Sequence, residues 1–584
     1  MPELHAPMSL AEATAEMTQP GSMFEMTTAS VRGVELRVWK NAPATLRDVL
    51  LGTRRHADRD FLVYEDERMT YAEHFAIAAT FAKRLRDAGV RPGDRVAIAM
   101  RNLPEWVISF WSTMALGAIV VPLNAWWTTD ELVYGLTDSG SSVAVVDLER
   151  FGRLKSKLHE LDGLHTVIVA SEDRGVPIEL PEEHADTRTH TFFDFLGAVD
   201  PDEDLPEAAI EPDDDATIFY TSGTTGQPKG AVGSHRNAAT NLMNLFFFSS
   251  RTTKRLGQEK GSSPSGPNAY LLSVPLFHAT GCQAILVVNT AAAGKIVIMH
   301  HFDPERTLEL IERERITIFG GVPTMVMQVL DSPSFSNHDL SSVRSISYGG
   351  APAPADLVRR IRDAFPVGQP GNGYGMTETT AASAMITGAD YLLHPDSVGP
   401  ITPVGEAAIV PEGFEGDEPP ADRPQGPDVV GELWLKGPQV VRGYWNKPEA
   451  TAATFTKGWV RTGDIGRIDD EGLIYVVDRS KDVIIRGGEN IYSIEVETAL
   501  FDHPAIADCA VIGVPHRTLG EQVGAVVVLR TGASVSAEEL ARHVGERLAA
   551  YNVPAHFYFR DEPLPRNPAG KVLKRELRDE VLSG

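Results

Sequence analysis

The spacing of apolar and polar positions changes period repeatedly along the chain, and each change predicts an element. Thr70 and Glu73 stand at capping-box spacing, Phe75, Ala78, Phe81, Ala82 and Leu85 recur on one helical face, and Gly89 ends the run. Residues 95–100 form a strand-length apolar run, 104–116 return to helical spacing and stop at Gly117, and 118–121 read as strand. Thr128 and Glu131 cap the next helix, and 143–147 are strand again. Short buried strands alternating with helices predict α/β layers: parallel-rich sheets packed with helices. Further strands are expected at 216–220, 274–278, 316–319, 343–347 and 431–436, and an amphipathic segment begins near Ser234. From Val483 a small α+β unit follows, with strands near 510–514 and 524–529 and a helix over 537–548. Residues 1–43 show weak periodicity and are expected to be an irregular extension; 251–267 and 411–429 read as surface connections.

At 584 residues the chain exceeds one compact domain. Its formal net charge of -26 argues against a nucleic-acid partner, since phosphate contacts need excess Lys and Arg. The two cysteines, Cys282 and Cys509, lie far apart in apolar stretches and supply neither a disulfide framework nor a zinc site. The first residues lack a basic region followed by an apolar core, and the longest apolar run, 284–299, is broken by Asn289, Thr290, Gly294 and Lys295. A cytoplasmic protein without an integral membrane segment is expected.

The most chemically loaded stretch is Tyr220-Thr221-Ser222-Gly223-Thr224-Thr225-Gly226-Gln227-Pro228-Lys229-Gly230. Three glycines let backbone N–H groups point inward, four hydroxyls add donors and Lys229 adds a cation, which suits a polyphosphate. Taken alone, the composition also suits a flexible linker. The G-x-x-x-x-G-K-[ST] pattern is not met, because Gly230 follows Lys229. Downstream stand Phe277-His278-Ala279-Thr280-Gly281, Tyr348-Gly349-Gly350-Ala351-Pro352, Asn372-Gly373-Tyr374-Gly375-Met376-Thr377-Glu378, Arg461-Thr462-Gly463-Asp464, Asp478-Arg479-Ser480-Lys481, Gly487-Gly488 and Asn567-Pro568-Ala569-Gly570-Lys571.

These motifs, in this order, closely resemble the acyl-adenylate-forming (AMP-dependent synthetase/ligase) superfamily of acyl-CoA synthetases, nonribosomal adenylation domains and beetle luciferases. The similarity runs from about Thr45 to Asp579. It implies an adenylation domain over 44–478, a hinge at 479–482 centred on Lys481, and a mobile lid domain over 483–584. It also implies ATP, Mg²⁺ and CoA as reactants. Residues 221–226 and Lys229 would hold phosphates, with Thr225 and Glu378 on Mg²⁺. Residues 350–352 and Asn372 to Met376 would border the adenine, and Thr377 the α-phosphate. Asp464 and Arg479 would take the ribose. His278 would gate an acyl pocket formed with Thr280, Gly281, Gly349 and Gly373, although a histidine after an apolar run is also readily a packed core residue. Gly487 and Gly488 would face CoA, and Lys571 would be the catalytic lysine. Lys574 and Arg575 read as solvated helix charges.

Such an enzyme activates a carboxylate as an acyl-AMP, releases pyrophosphate, and then transfers the acyl group to CoA after the small domain swings. His278 stands where amino-acid-activating relatives carry an aspartate, which disfavours an α-amino acid. The apolar stretch 241–248 and the small residues 379–383 leave room for a medium- or long-chain fatty acid; an aryl acid, or a carrier protein as acceptor, stays open. The oligomeric state is open too, a homodimer included.

Overall fold

The computed structural model describes residues 8–173, 178, 180, 188–221, 227–257, 267–350, 355–411, 413–426, 428–567 and 570–583. Two parallel-rich sheets form its body. The first has seven strands in the order Lys229–Ser234, Asp215–Thr221, Ile119–Pro122, Arg95–Ala99, Val143–Asp147, Thr166–Ala170 and Thr189–Thr191. The second has eight, with Gln369–Tyr374, Ser345–Gly349, Ile318–Gly321, Ala269–Leu272, Lys295–Ile298 and Asp60–Tyr64 parallel and one antiparallel strand at each edge. Between them lies the helix Pro104–Ala115, apolar on nearly every side and buried at every position, with Trp106, Phe110 and Trp111 at the centre of the largest core cluster. An antiparallel six-stranded sheet follows and ends in Trp459–Ile468 and Leu473–Arg479. A separate five-stranded sheet begins at Ile484–Arg486 and carries helices Ser493–Phe501, Ala537–Gly545 and Lys574–Ser583 around its own core. Among the described residues, no helix is long and apolar enough to cross a membrane.

Residues 10–39 are not irregular. A capped helix, Leu10–Met17, precedes a hairpin of Met26–Val31 and Val34–Trp39 that turns through Arg32 and Gly33 at φ 51° and 79°. Phe24 and Trp39 pack on Phe247 of the long helix His235–Arg255, and Trp39 Nε1 donates to Asn244 Oδ1 at 2.9 Å. This order comes from partners some 200 positions away, so local periodicity does not reveal it.

The loop after Tyr220 does not run directly into a helix. It closes a β-hairpin, because Lys229–Ser234 pairs antiparallel with Asp215–Thr221 before Ser234 caps the long helix. Three strands also sit off their expected positions. The one expected at 274–278 is Ala269–Leu272, and those at 316–319 and 343–347 are Ile318–Gly321 and Ser345–Gly349. The latter two end in glycines that strand propensity disfavours, yet these ends approach the cavity described next. The final expected helix stops at Gly545 rather than 548.

Candidate active site

A cavity of about 1930 Å³ opens at the carboxyl ends of the parallel strands in the eight-stranded sheet, where binding crevices form in open α/β sheets. Thr221, Lys229, His278, Thr280, Gly349, Gly350, Gly373, Tyr374, Gly375, Met376, Thr377, Glu378, Asp464, Arg479, Lys481 and Lys571 all line it. Residues 222–226, Ala351 and Pro352, expected at the phosphates and adenine, lie outside the described residues.

Two expected members face elsewhere. Asn372 alternates away from Gly373 on its strand and is buried opposite Tyr348, whose hydroxyl donates to Tyr391 at 2.9 Å. Gly281 is a packing glycine: a Cβ there would stand 2.2 Å from the Pro275 carbonyl oxygen, so the π-helical turn Thr280–Leu286 sits directly on the backbone behind Phe277.

Both stems of the 222–226 loop are fastened to the helix Thr129–Ser139. The Tyr220 hydroxyl donates to Asp138 Oδ2 at 2.7 Å, Lys447 reaches Asp138 Oδ1 at 2.9 Å, and Tyr134 donates to the Pro228 carbonyl at 2.9 Å. Lys229 projects over the Tyr444 ring, its amine 5.3 Å from the ring centre. Tyr444 in turn donates to Glu378 Oε1 at 2.7 Å. Burial pushes the Glu378 carboxyl above its ordinary range, and the Tyr444 hydrogen bond partly offsets this. One buried carboxylate fits a Mg²⁺ that keeps waters and substrate phosphates as its other ligands. Among the described residues no cluster of three His, Cys, Asp or Glu forms a metal cage.

On the far side, strand pairing sets Asp464 opposite Arg479, with Arg479 Nε 3.4 Å from Asp464 Oδ1. Asp464 Oδ2 accepts the Tyr374 hydroxyl at 2.7 Å, which fixes the ring against the cavity wall. The lysine loop closes over this end. The Lys571 N–H donates to Asn567 Oδ1 at 3.0 Å, and a Cβ on Gly570 would meet Val322 Cγ2 at 2.5 Å, so the loop is packed against the large unit. Burial, then the Arg479 guanidinium, lowers the Lys571 pKa to about 8, against the opposing pull of Asp464 and Glu378. His278 is lowered to about 4 by burial and by Lys571, so it is neutral at physiological pH, and its enclosed Nε2 has no hydrogen-bond partner among the described residues.

Beyond His278 the cavity continues as a channel along the sheet. Its floor is made of small residues on one face of neighbouring strands, Ser345, Ser347 and Gly373; Leu245 and Phe246 of the long helix cover it, and Ala284, Ile285 and Val288 wall it. From Gly349 to Ser345 the floor spans roughly 13 Å by strand rise. It opens beside Lys295, Glu314, Arg315 and Arg344 at the opposite ends of the strands.

The Gly487–Gly488 turn is the tip of an exposed two-residue hairpin, at φ 64° and 95°, and does not line the cavity. Lys574, read from sequence as solvated, is instead largely buried and paired with Glu497 at 2.6 Å. Tyr444, Asp138 and Lys574 acquire their roles only through tertiary contact. A signal that could have found Tyr444 is its place in the stretch Arg442-Gly443-Tyr444-Trp445.

Residues 52–445 match the AMP-binding enzyme family and residues 495–571 match the AMP-binding enzyme C-terminal domain. The chain is 34% identical over 554 residues to the long-chain-fatty-acid–CoA ligase of Bacillus subtilis (strain 168), covering 92% of this chain and 94% of that protein. It is 36% identical over 515 residues to the feruloyl-CoA synthase of an Amycolatopsis species, covering 87% and 93%. Its structure resembles that of the o-succinylbenzoate CoA synthetase of Bacillus subtilis in complex with the acyl-adenylate intermediate, with TM-score 0.74, 30% identity and coverage of 92% and 98%.

Proposed function

Because the chain belongs to the AMP-binding enzyme family and is an AMP-forming acid–thiol ligase, we propose that it activates a medium- or long-chain fatty acid and passes the acyl group to CoA. The observation that carries the acid class is the channel, which runs on from His278 between apolar residues of two helices and a floor of small side chains.

In this reading the carboxylate sits between His278 and Lys571, and its oxygen attacks the α-phosphorus of ATP while pyrophosphate departs. Negative charge grows on the phosphoryl oxygens, and Lys571 and Lys229, which both line the cavity, would meet it. Thr377 adds a hydroxyl at the same place, and Asp464 with Arg479 orients the ribose. Neutral His278 contributes shape and a hydrogen-bonding edge without repelling Lys571. Mg²⁺ held by Glu378 and Thr225 would neutralise phosphate charge. The thiol of CoA then attacks the acyl carbon and AMP leaves. Since the Gly487–Gly488 turn stands outside the cavity, its use in the second step requires the small unit to reorient about 479–482.

A second reading is favoured by hydroxyls along the channel, among them Ser249, Thr252 and Ser345: these suit an oxygenated aryl acid, the class named for the feruloyl and o-succinylbenzoate relatives. Mass spectrometry of products from ATP, Mg²⁺ and a mixed pool of fatty and aryl acids, with and without CoA, separates them. Fatty acyl-CoA formed only with CoA, and fatty acyl-AMP without it, is the expected result. Aryl thioesters alone would overturn the acid class, and acyl-AMP that accumulates regardless of CoA would point to a carrier-protein acceptor.

A further inference from the structure

Lys574 begins the helix Lys574–Ser583, three residues beyond Lys571, and its amine lies 2.6 Å from Glu497 Oε1 and 2.6 Å from Ser493 Oγ. Ser493 and Glu497 share one face of the helix Ser493–Phe501 at i,i+4 spacing. Glu497 also accepts the Val511 N–H at 2.8 Å, which completes its bonding within the small unit. Ser493 then carries the cluster across the boundary: its hydroxyl donates to Asp478 Oδ1 at 3.0 Å and its N–H donates to Asp478 Oδ2.

Asp478 belongs to the large unit, on the strand Leu473–Arg479. Side chains alternate along a strand, so its neighbour Arg479 points the other way, toward Asp464. One dipeptide therefore holds the ribose end of the cavity on one side and the small unit on the other. Asp478 is 1% and Glu497 7% exposed, and two carboxylates with one ammonium are tolerated out of water only when fully hydrogen-bonded. Burial alone would lower the Lys574 amine's pKa, but Glu497 and Asp478 outweigh it and keep the group charged.

We propose that Asp478, Ser493, Glu497 and Lys574 form a latch of positioning residues that holds the lysine-bearing unit against the large unit during adenylation, and that thioester formation requires it to open. The contact joins residues on either side of 479–482, so rotation there breaks the Asp478–Ser493 bonds. The proposal rests on reading Lys571 as the adenylating lysine.

The test uses the full chain with Asp478→Asn and Lys574→Gln. Each variant is assayed for acid-dependent exchange of pyrophosphate into ATP and for acyl-CoA formation from supplied acyl-AMP and CoA, with thermal unfolding followed on the same samples. Adenylation is expected to fall on the order of 10- to 100-fold, the scale of a coupling between two states. Thioester formation should be unchanged or faster, and the hinge more readily cut by protease. Equal losses in both half-reactions would mean a merely structural role, and unaltered half-reactions would remove the latch. Lys571→Ala runs in parallel: if it retains adenylation, the underlying reading of Lys571 fails, whereas selective loss there with wild-type behaviour in the latch variants defeats the latch alone.

Discussion

Lys571 is the residue on which pH acts most directly. Its pKa is lowered to about 8, and in the proposed mechanism the ammonium is the form that meets phosphoryl charge. Adenylation should therefore be flat below about pH 8 and decline above it, approaching tenfold per pH unit as the ammonium is lost. The kcat/KM for pyrophosphate exchange reports this, because it follows the free enzyme. An unchanged rate through pH 9.5, by about a factor of two, would contradict the assignment. Tyr444→Phe tests the other end of the cavity. It removes one hydrogen bond to a buried carboxylate, worth about 1.5–3 kcal/mol of stability, so Tm should fall, and if Glu378 holds Mg²⁺ the Mg²⁺ concentration for half-maximal adenylation should rise about tenfold or more. Most of the motif residues that line the cavity could be picked out in sequence by their types and order. Tyr444, Asp138 and Lys574 could not, because each is defined by a partner 66, 82 or 77 positions away in the chain.

At the scale of elements, the helix–strand alternation was readable wherever an element buries one clear face. The capping boxes at Thr70 and Thr128 and the strands Val143–Asp147 and Gly431–Lys436 fall where the pattern put them. Reading failed where function or distant packing overrides local preference: strands ending in Gly321 and Gly349 at the cavity, and the amino-terminal hairpin held by Phe247 and Asn244. The π-helical turn Thr280–Leu286 gave no periodic signal, yet it supplies Ala284 to the channel wall. Filling the channel there with Ala284→Phe should reduce kcat/KM for palmitate at least about tenfold while hexanoate is spared, since the added ring blocks only what lies beyond it. Equal loss for both acids would indicate disturbed packing, whose usual cost is about 1–3 kcal/mol, and would remove the channel as the acyl site.

Across the whole molecule, the Lys571 loop lies against Val322 with Lys571 lining the cavity beside Asp464 and Arg479, and the Gly487–Gly488 turn is exposed outside it. On the proposed mechanism this arrangement of the two units serves adenylation, and the thioester step needs another. Lys481→Pro, which fixes φ at the centre of the hinge, should leave adenylation within a few-fold of the parent and suppress acyl-CoA formation from supplied acyl-AMP. That the sequence pointed to a second unit after 482 follows from its change of pattern. How the units meet was not readable, because it depends on Asp478 facing Ser493 across the boundary.

The most direct measurement is the pair of half-reactions in Lys571→Ala. Acyl-AMP formation is expected to fall on the order of 100- to 1000-fold, while acyl-CoA formation from supplied acyl-AMP stays close to that of the parent. Equal loss of both half-reactions would contradict it, since one lysine would then serve both steps from one position.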